Sequence, residues 1–255
     1  MSEPGVDADG ATIVGIDIGG TGIKGAPVDP VAGKLTRARY RLETPRPADV
    51  DSVTAVVGEV ARHCGPADRI GVTFPGVVTG GVIRTAANMH PSWVDVVAPE
   101  RFAEVVGCPV TVVNDADAAG VAEVTFGAGR GRSGVVIVLT LGTGIGSAVF
   151  LDGKLLPNTE LGHLELDGTD AEHRASELAR EREGLTWPEW AQRVQRYLRH
   201  VEDLLQPELF IIGGGVSKRA DKFLPLIQTR TPVVPAALRN EAGIIGAALM
   251  AAQAG

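Results

Sequence analysis

Apolar residues along this chain follow two spacings that alternate from one end to the other. Short runs rich in β-branched residues, several of them bounded by glycine-rich turns, are typical of strands. Longer segments repeat apolar residues every three or four positions, which is typical of helices that bury one face. The predicted strands are residues 12–18, 22–28, 69–74, 110–113, 135–141, 144–151 and 208–212. The predicted helices are residues 49–63, 116–126, 187–205 and 241–252. Strands that alternate with helices predict the α/β class.

A short motif occurs twice, each time between two predicted strands. Residues 20–23 and residues 142–145 both read GTGI. A chance repeat of common residues is the alternative, but the matching strand–turn–strand context favours a duplicated lobe. We therefore expect two halves of similar architecture.

Composition and charge narrow the class of protein. The 255 residues are 44% hydrophobic and 22% charged, which provides for a large core and excludes a disordered chain. The 24 Lys and Arg against 31 Asp and Glu give a net charge of −7. No global field therefore attracts a nucleic acid or an anionic membrane, and any polyanion needs a local basic patch.

Cysteine usage and the length of the apolar runs indicate the compartment. Cys64 and Cys108 lie too far apart in sequence for a CxxC pair, which favours a reduced protein without a disulfide framework. The acidic, polar start of the chain has no apolar core of a signal peptide. The longest apolar stretch, residues 134–141, is far below the roughly 18 residues that span a bilayer. We expect a cytoplasmic protein.

Three glycine-rich turns carry the first candidate chemistry. Residues 17–24 read DIGGTGIK, residues 140–146 read TLGTGIG, and residues 213–217 read GGGVS after a predicted strand. Glycine allows backbone N–H groups to approach an anion, and successive N–H groups form a nest for phosphate oxygens. The alternative is that the glycines serve tight hairpins only, but three such turns are hard to assign to hairpins alone. No Walker A pattern occurs.

A carboxylate pair lies where a predicted strand runs into a predicted helix. Residues 112–117 read VVNDAD, so Asp115 and Asp117 fall at a helix N-terminus, where the helix dipole favours the ionised form. An ionised carboxylate in that place suits a general base that accepts a hydroxyl proton. The alternative is a helix N-cap, a position that Asn and Asp fill often.

Two further segments suit the binding of a polyhydroxylated ligand. Residues 160–163 read ELGH and are followed by Glu172, so carboxylates and an imidazole converge on one loop. The alternative there is a solvated acidic loop. Residues 85–93 read TAANMHPSW, whose Asn, His and Trp suit a sugar pocket, although Asn-x-x-Pro is also ordinary turn chemistry.

Taken together, these motifs resemble those of the ROK family of sugar kinases, and within it the actinobacterial branch that phosphorylates glucose with polyphosphate. The resemblance runs from GIDIGGTGIKGAPVD through TAANMHPSW, VVNDADAAG and LTLGTGIGSA to RTPVVPAALRNEAGIIGAA. It implies two RNase-H-like lobes of the actin-like ATPase and sugar kinase fold, with a cleft between them. The expected lobes are residues 1–114 with 240–255, which carry the first phosphate turn, and residues 115–239, which carry the other two.

The resemblance also gives the motifs roles. It implies that Asp115 is the general base for the 6-hydroxyl of glucose and that Asp17 contacts Mg²⁺ through water. The implied glucose ligands are Asn88, Asn114, Asp115, Glu160, His163 and Glu172. The implied phosphate or nucleotide contacts are Asp17, Gly19, Gly20, Thr21, Gly22, Lys24, Thr140, Gly142, Thr143, Gly144, Gly213, Gly214 and Gly215.

One departure from the family pattern is informative. Many members carry a zinc cluster, CxCGxxGCxE, just after ExGH, whereas residues 164–176 here read LELDGTDAEHRAS and contain no cysteine. We therefore expect no structural zinc, and another group must orient His163. About a dozen residues precede the first predicted strand, too few for a helix-turn-helix, which favours an enzyme over a repressor of the same family.

The implied activity is a glucokinase that uses polyphosphate and possibly ATP, with Mg²⁺ as cofactor. The alternatives are a strictly ATP-dependent kinase of glucose, mannose or N-acetylmannosamine, and a sugar sensor without catalysis. Polyphosphate needs a cationic track, and two clusters beside the glycine turns are candidates: Arg130 and Arg132, and Lys218, Arg219 and Lys222. The alternative for both clusters is solvated surface charge. The family favours a homodimer, with residues 187–205 either at its interface or as an ordinary core helix.

Overall fold

The computed structural model describes residues 10–86 and 89–254, and the chain divides into two compact units. The first unit is Met1–Ala122 with Glu241–Gly255, and the second unit is Glu123–Asn240. Each unit is built on one main sheet with its own apolar core.

The first unit begins with a strand hairpin and continues with strands that alternate with helices. Its strands are β1 (Ile13–Ile18), β2 (Ile23–Asp29), β3 (Lys34–Leu35), β4 (Tyr40–Leu42), β5 (Arg69–Phe74), β6 (Val78–Thr79), β7 (Val82–Ile83) and β8 (Val110–Asn114). Its helices are α1 (Val50–Cys64), α2 (Ala98–Val106) and α3 (Asp115–Phe126), whose last turn belongs to the second unit.

The second unit also begins with a strand hairpin, but different helices and short strands lie between its main strands. Its strands are β9 (Val135–Leu141), β10 (Ile145–Leu151), β11 (Lys154–Leu156), β12 (Glu165–Leu166), β13 (Thr169–Asp170), β14 (Leu209–Gly213) and β15 (Val233–Pro235). Its helices are α4 (Glu172–Ala175), α5 (Glu177–Arg182), α6 (Trp187–Leu205) and α7 (Ala220–Phe223). The chain then returns to the first unit with α8 (Ala242–Gln253).

The two main sheets have the same topology. In the first unit the strand order is β3-β2-β1-β5-β8, with β4 also paired to β2; in the second it is β11-β10-β9-β14-β15. In both sheets the first two long strands form an antiparallel hairpin, and the following strands run parallel to the first. The repeated GTGI motif lies in the two equivalent hairpin turns, so the expectation of a duplicated lobe is confirmed at the level of topology.

Small residues let α8 lie directly on the sheet of the first unit. A Cβ placed on Gly15 or Gly71 would overlap the backbone of Ile244 or Ala247 on that helix. On the other sheet face, Val53, Val57 and Val60 of α1 are fully buried in the same core. This packing fixes the end of β1, where the first glycine turn begins.

Helix α6 is the principal helix of the second core. A capping box between Thr186 and Glu189 starts it, and its buried face includes Trp190, Val194 and Leu198. Because that face is buried inside the second unit, α6 is a core helix, as one of the two hypotheses for residues 187–205 predicts. No described helix combines the length and apolarity needed to cross a membrane.

The predicted α/β class and the main elements are confirmed. The bounds of β5, β9 and α6 agree with the predicted residues, and the other predicted strands and helices shift by one residue at one or both ends. Helices α2, α4, α5 and α7 and the short strands were not predicted, because runs of a few residues carry little periodicity.

Candidate active site

The first glycine turn joins β1 to β2 through residues 19–22. The Gly19 N–H donates to the Gly22 carbonyl at 3.0 Å and closes the hairpin. The Thr44 hydroxyl donates to the Gly19 carbonyl at 2.5 Å, so the turn is also held from its side. Gly20 and Thr21 are exposed at the tip, where a ligand can reach them.

Asp17, at the end of β1, lies in a row of polar side chains that crosses the sheet. Lys24 on β2 and Thr73 on β5 are its register partners on either side. The Lys24 Nζ lies 2.9 Å from Oδ2 of Asp17, and the Thr73 hydroxyl donates to Oδ1 at 2.8 Å. A Cβ on Gly243, near the start of α8, would lie 2.9 Å from the Asp17 carboxyl carbon. The N-terminal end of α8 therefore faces this carboxylate.

The donor set around Asp17 fits a water-mediated magnesium contact. Mg²⁺ in kinase sites usually keeps several waters and takes one or two carboxylates together with substrate phosphate oxygens. Each Asp17 oxygen already accepts one hydrogen bond or ion pair and retains acceptor capacity. Among residues 10–86 and 89–254, no cluster of three or more His, Cys, Asp or Glu side chains is arranged to hold a metal by itself.

Asn114 and Asp115 share the junction of β8 and α3 but have different surroundings. The Asn114 Oδ1 accepts the N–H of Asp117 at 3.0 Å, so Asn114 is the N-cap. Its Nδ2 donates to the Gly76 carbonyl at 3.1 Å, which ties the cap to the loop after β5. The N-cap role considered for Asp115 and Asp117 thus belongs to Asn114. Asp115 is half-buried in the first turn of α3, and its Oδ1 accepts the Ala116 N–H at 2.9 Å.

The segment that follows β7 differs from the expected sugar pocket. Asn88 lies outside the described residues, so its role stays a prediction. Trp93 is fully buried among Phe74 and Phe102, and its indole N–H donates to the Ala48 carbonyl at 3.1 Å. The expectation that this indole lines a pocket is wrong, because it is part of the core of the first unit.

The second glycine turn, residues 142–144 between β9 and β10, is tied to the helices that follow it. The Gly142 N–H donates to the Gly144 carbonyl at 3.0 Å, and the Leu178 N–H donates to the Gly142 carbonyl at 3.0 Å. Oε2 of Glu172 accepts the Ile145 N–H at 3.1 Å. Thr143 is exposed at the tip, and Thr140 is half-buried at the end of β9. This turn is therefore one structure with Glu172.

His163 lies between three carboxylates of the second unit. Its Nδ1 is 2.8 Å from Oδ2 of Asp170, and its Nε2 is 3.8 Å from Oε2 of Glu160. The hydrogen bond with Asp170, more than the nearby charges of Glu172 and Glu160, raises the pKa of His163. Burial raises the pKa of Glu160, with an added contribution from Glu172, while His163 opposes this. Asp170 is thus the group that orients the imidazole.

The short β12–β13 hairpin presents Asp170, and ion pairs hold that hairpin. Asp167 lies in its turn with φ of 58°, followed by Gly168 with φ of 80°. Both oxygens of Asp167 accept from the Arg196 guanidinium of α6, one of them at 2.7 Å, and Arg174 lies 3.7 Å away. The Arg196 guanidinium holds the pKa of Asp167 below its usual range. The alternative of a solvated acidic loop therefore does not hold for this hairpin, because Arg196 fixes it to α6 and its Asp170 contacts His163.

The third glycine turn follows β14. A Cβ on Gly214 would overlap the backbone of Leu141, which shows how closely this turn packs at the end of β9. A Cβ on Gly215 would lie 3.2 Å from the Glu177 carboxylate, and burial followed by the Glu181 charge raises the pKa of Glu177. Gly213 is buried at the end of β14, next to Thr140. The structure thus brings the second and third turns together with Glu177.

The five cations predicted for a donor track are exposed. Arg130 and Arg132 lie between α3 and β9, and Lys218, Arg219 and Lys222 lie directly after the third turn. Lys218 and Arg219 are near enough to Glu177 to lower its pKa against the effect of burial.

Sequence reasoning missed three supporting residues: Thr73, Asp170 and Arg41. Thr73 holds the Asp17 carboxylate, and Asp170 orients His163. Arg41 of β4 donates from Nη2 to the Thr21 carbonyl at 2.7 Å in the first glycine turn. For Asp170, the sequence offered two signals: His163 needs a group to orient it, and the loop that follows contains no cysteine to hold a zinc ion.

Comparisons with known proteins agree with this arrangement. The family model described as the ROK family matches residues 13–180. A polyphosphate glucokinase of Mycobacterium tuberculosis is 52% identical over 236 residues, which are 92% of this chain and 89% of that protein. The crystal structure of an inorganic polyphosphate/ATP-glucomannokinase from Arthrobacter sp. strain KM matches with a TM-score of 0.93 at 54% identity and covers 96% of this chain and 100% of that one.

The chain is also similar to a solved structure that contains bound ligands. A ROK family glucokinase from Streptomyces griseus in complex with glucose and AMPPNP matches with a TM-score of 0.79 at 26% identity, over 95% of this chain and 99% of that one. These likenesses confirm the expected actin-like fold with two α/β lobes.

Proposed function

The chain belongs to the ROK family, and on that premise we propose that it is a glucokinase that transfers a phosphoryl group from inorganic polyphosphate to the 6-hydroxyl of glucose. Glucose 6-phosphate is the organic product. The observation that carries the proposal is the extensive likeness to a polyphosphate glucokinase, which covers 92% of this chain at 52% identity. The two glycine hairpins at equivalent sheet positions support it, because both offer backbone N–H groups to phosphate.

We assign the sugar to carboxylates and an imidazole of the second unit. Glu160 and Glu172 accept hydrogen bonds from sugar hydroxyls. The Nδ1–H of His163 donates to Asp170, which leaves Nε2 as the ring nitrogen available to the sugar. Asn114 holds the α3 cap in place, and the proposed contacts of Asn114 and Asn88 with the sugar stay predictions.

Asp115 is the proposed general base. It lies in the first turn of α3, at the positive end of the helix dipole, which favours a negative charge there. In the reaction a carboxylate oxygen of Asp115 takes the proton of the 6-hydroxyl. The 6-hydroxyl oxygen attacks the terminal phosphorus at the same time, and the shortened polyphosphate leaves. Phosphoryl transfer needs little further covalent chemistry from the protein, so positioning and charge stabilisation provide the rest.

The glycine turns and their flanking charges stabilise the transferring phosphoryl group. The N–H groups of the first and second turns donate to phosphate oxygens, and Lys24 adds a positive charge beside the first turn. Mg²⁺ held through water by Asp17 would neutralise charge on the phosphate oxygens. The third turn lies beside the second and contacts the distal part of the donor.

The relatives leave a choice of donor and sugar that a rate comparison resolves. The Arthrobacter relative is described as using polyphosphate or ATP and as a glucomannokinase, so ATP and mannose are the second candidates here. The test is a coupled assay for sugar 6-phosphate with each donor, with kcat/KM compared across glucose, mannose, fructose and N-acetylmannosamine. We expect the highest value for polyphosphate with glucose. Turnover with ATP alone would establish an ATP-dependent hexokinase, and glucose binding without product from either donor would establish a sensor.

We further propose a cytoplasmic homodimer as the working form. The reduced thiols and the family resemblance support this assignment. Light scattering at micromolar concentration measures the mass directly, and a monomeric mass would contradict it.

A further inference from the structure

Two positive side chains lie directly opposite each other beside the first glycine turn. Lys24 on β2 and Arg41 on β4 are register partners in an antiparallel pair, so they lie on the same sheet face. Lys24 is in turn the register partner of Asp17. The order across the sheet is therefore one carboxylate, one ammonium and one guanidinium.

This row has an excess of positive charge that the protein does not neutralise. Like charges directly opposite on neighbouring strands destabilise a sheet. Lys24 pairs with Asp17, whereas within residues 10–86 and 89–254 no ion pair joins Arg41 to a carboxylate. The Arg41 guanidinium instead donates to a neutral acceptor, the Thr21 carbonyl. A cation pair of this kind is the arrangement that an anion would complete.

The Arg41 guanidinium is also placed against the turn itself. A Cβ on Gly22 would lie 2.5 Å from Nη2 and 2.6 Å from Cζ of Arg41. Only a residue without a side chain leaves room for the guanidinium there. The third glycine of GGTG thus makes space for a cation, whereas a Cβ on Gly20 would meet nothing within 4 Å.

We propose that Lys24 and Arg41 form an additional phosphate subsite of the first turn, which binds one phosphate of a polyphosphate chain. The inference rests on the proposed function and names where its donor is held. The Arg41 fork donates two parallel hydrogen bonds to one phosphate, and Lys24 supplies a point charge to the same group or to its neighbour in the chain. Because Arg41 is exposed on β4, the polyphosphate chain continues from this subsite outward along the surface of the first unit.

The test compares two ways of removing the guanidinium with matched controls. Arg41→Gln deletes the charge, and Gly22→Ala keeps the charge but displaces the guanidinium from the turn. Arg62→Gln removes one exposed charge from α1, far along the chain from the turn, and Gly20→Ala adds a methyl group to the same turn without a contact. The readouts are KM for long-chain polyphosphate across a salt series, KM for ATP, and direct binding of labelled long-chain polyphosphate.

We expect Arg41→Gln and Gly22→Ala to raise the polyphosphate KM and Kd by about tenfold, the effect of one charge-assisted contact. The slope of log affinity against log salt falls by about one in Arg41→Gln, because one phosphate contact is lost. The ATP KM rises less. Arg62→Gln keeps the wild-type affinity and slope, and Gly20→Ala has a smaller effect than Gly22→Ala.

Each contrary outcome separates the subsite from the proposed function. If Arg41→Gln binds polyphosphate as tightly as Arg62→Gln does, the subsite is overturned, whatever the turnover. If ATP and polyphosphate lose affinity equally, the assignment to a polyphosphate chain is overturned. If the wild-type protein binds polyphosphate through Arg41 but forms no glucose 6-phosphate from it, the subsite stands and the proposed function falls.

Discussion

Gly144→Ala should weaken glucose binding although Gly144 has no place in the sugar site. A Cβ at this position would overlap Oε2 of Glu172 and lie 3.3 Å from its carboxyl carbon. That is inside the roughly 3.5–4.0 Å at which carbon atoms meet without repulsion. The backbone of Gly144 does not have a positive φ, so alanine adds no backbone strain. The methyl group must therefore displace the Glu172 carboxylate.

The expected loss follows from the contacts that this carboxylate makes. Oε2 of Glu172 accepts the Ile145 N–H at 3.1 Å, a hydrogen bond to a charged acceptor. Such bonds are worth about 1.5–3 kcal/mol, and a displaced Glu172 would also lose the sugar hydroxyl that we propose it binds. One lost contact of that strength weakens glucose binding by about ten- to a hundredfold.

The assay is calorimetric titration of glucose in the absence of a phosphoryl donor. Effects of the substitution on phosphate binding therefore do not contribute to the measured glucose affinity. Gly142→Ala is the matched control, because it makes the same change in the same turn and its Cβ would meet nothing within 4 Å. We expect near wild-type glucose affinity for Gly142→Ala. If both variants bind glucose equally well, Glu172 does not hold the sugar in the way described.

Three further predictions follow from the electrostatics and burial. Asp170→Ala should lower the pKa of His163, which NMR measures from the titration of its ring protons, and it should raise KM for glucose more than it changes kcat. An unchanged titration would contradict the assigned hydrogen bond. Because the folded pKa is raised, this pair stabilises the fold below about pH 6.5, and that contribution is lost as pH rises through the folded value. Burial raises the pKa of Cys64 to about 11, so a thiol reagent at pH 8 should label Cys108 in the native protein and Cys64 only after unfolding; labelling of both in the native state would refute this. Alanine at Lys218, Arg219 and Lys222 together should raise KM for long polyphosphate more than KM for glucose, and it should reduce the salt dependence of polyphosphate binding. Equal salt slopes for polyphosphate and ATP would remove that cluster from the donor track.

The sequence was sufficient for the features that repeat along the chain. Period-two and period-3.6 patterns gave the long strands and helices within about one residue, because each buries one continuous face. The repeated GTGI motif indicated the duplicated topology, since the same turn joins equivalent strands in both sheets. The likeness to a known family supplied the candidate base and sugar ligands, which no periodicity could have given.

The supporting residues could not be read from the sequence because they act across distant segments. Arg41 reaches the first turn only because β4 pairs with β2, a register that local pattern does not specify. Asp170 was one acid among several in a loop, and its role depends on the hairpin that Arg196 anchors. Trp93 was placed in a pocket because its neighbours suited sugar binding, but packing against Phe74 and Phe102 put it in the core.

Whether Asp115 is the general base is tested by the turnover of Asp115→Asn with polyphosphate and glucose. The substitution keeps the size of the side chain and removes its ability to accept the hydroxyl proton. We predict that kcat falls by about 10²-fold or more, in line with the loss of a general base, while the glucose Kd stays within several-fold of wild type. Near-full turnover in this variant would show that the carboxylate at the start of α3 is not the base.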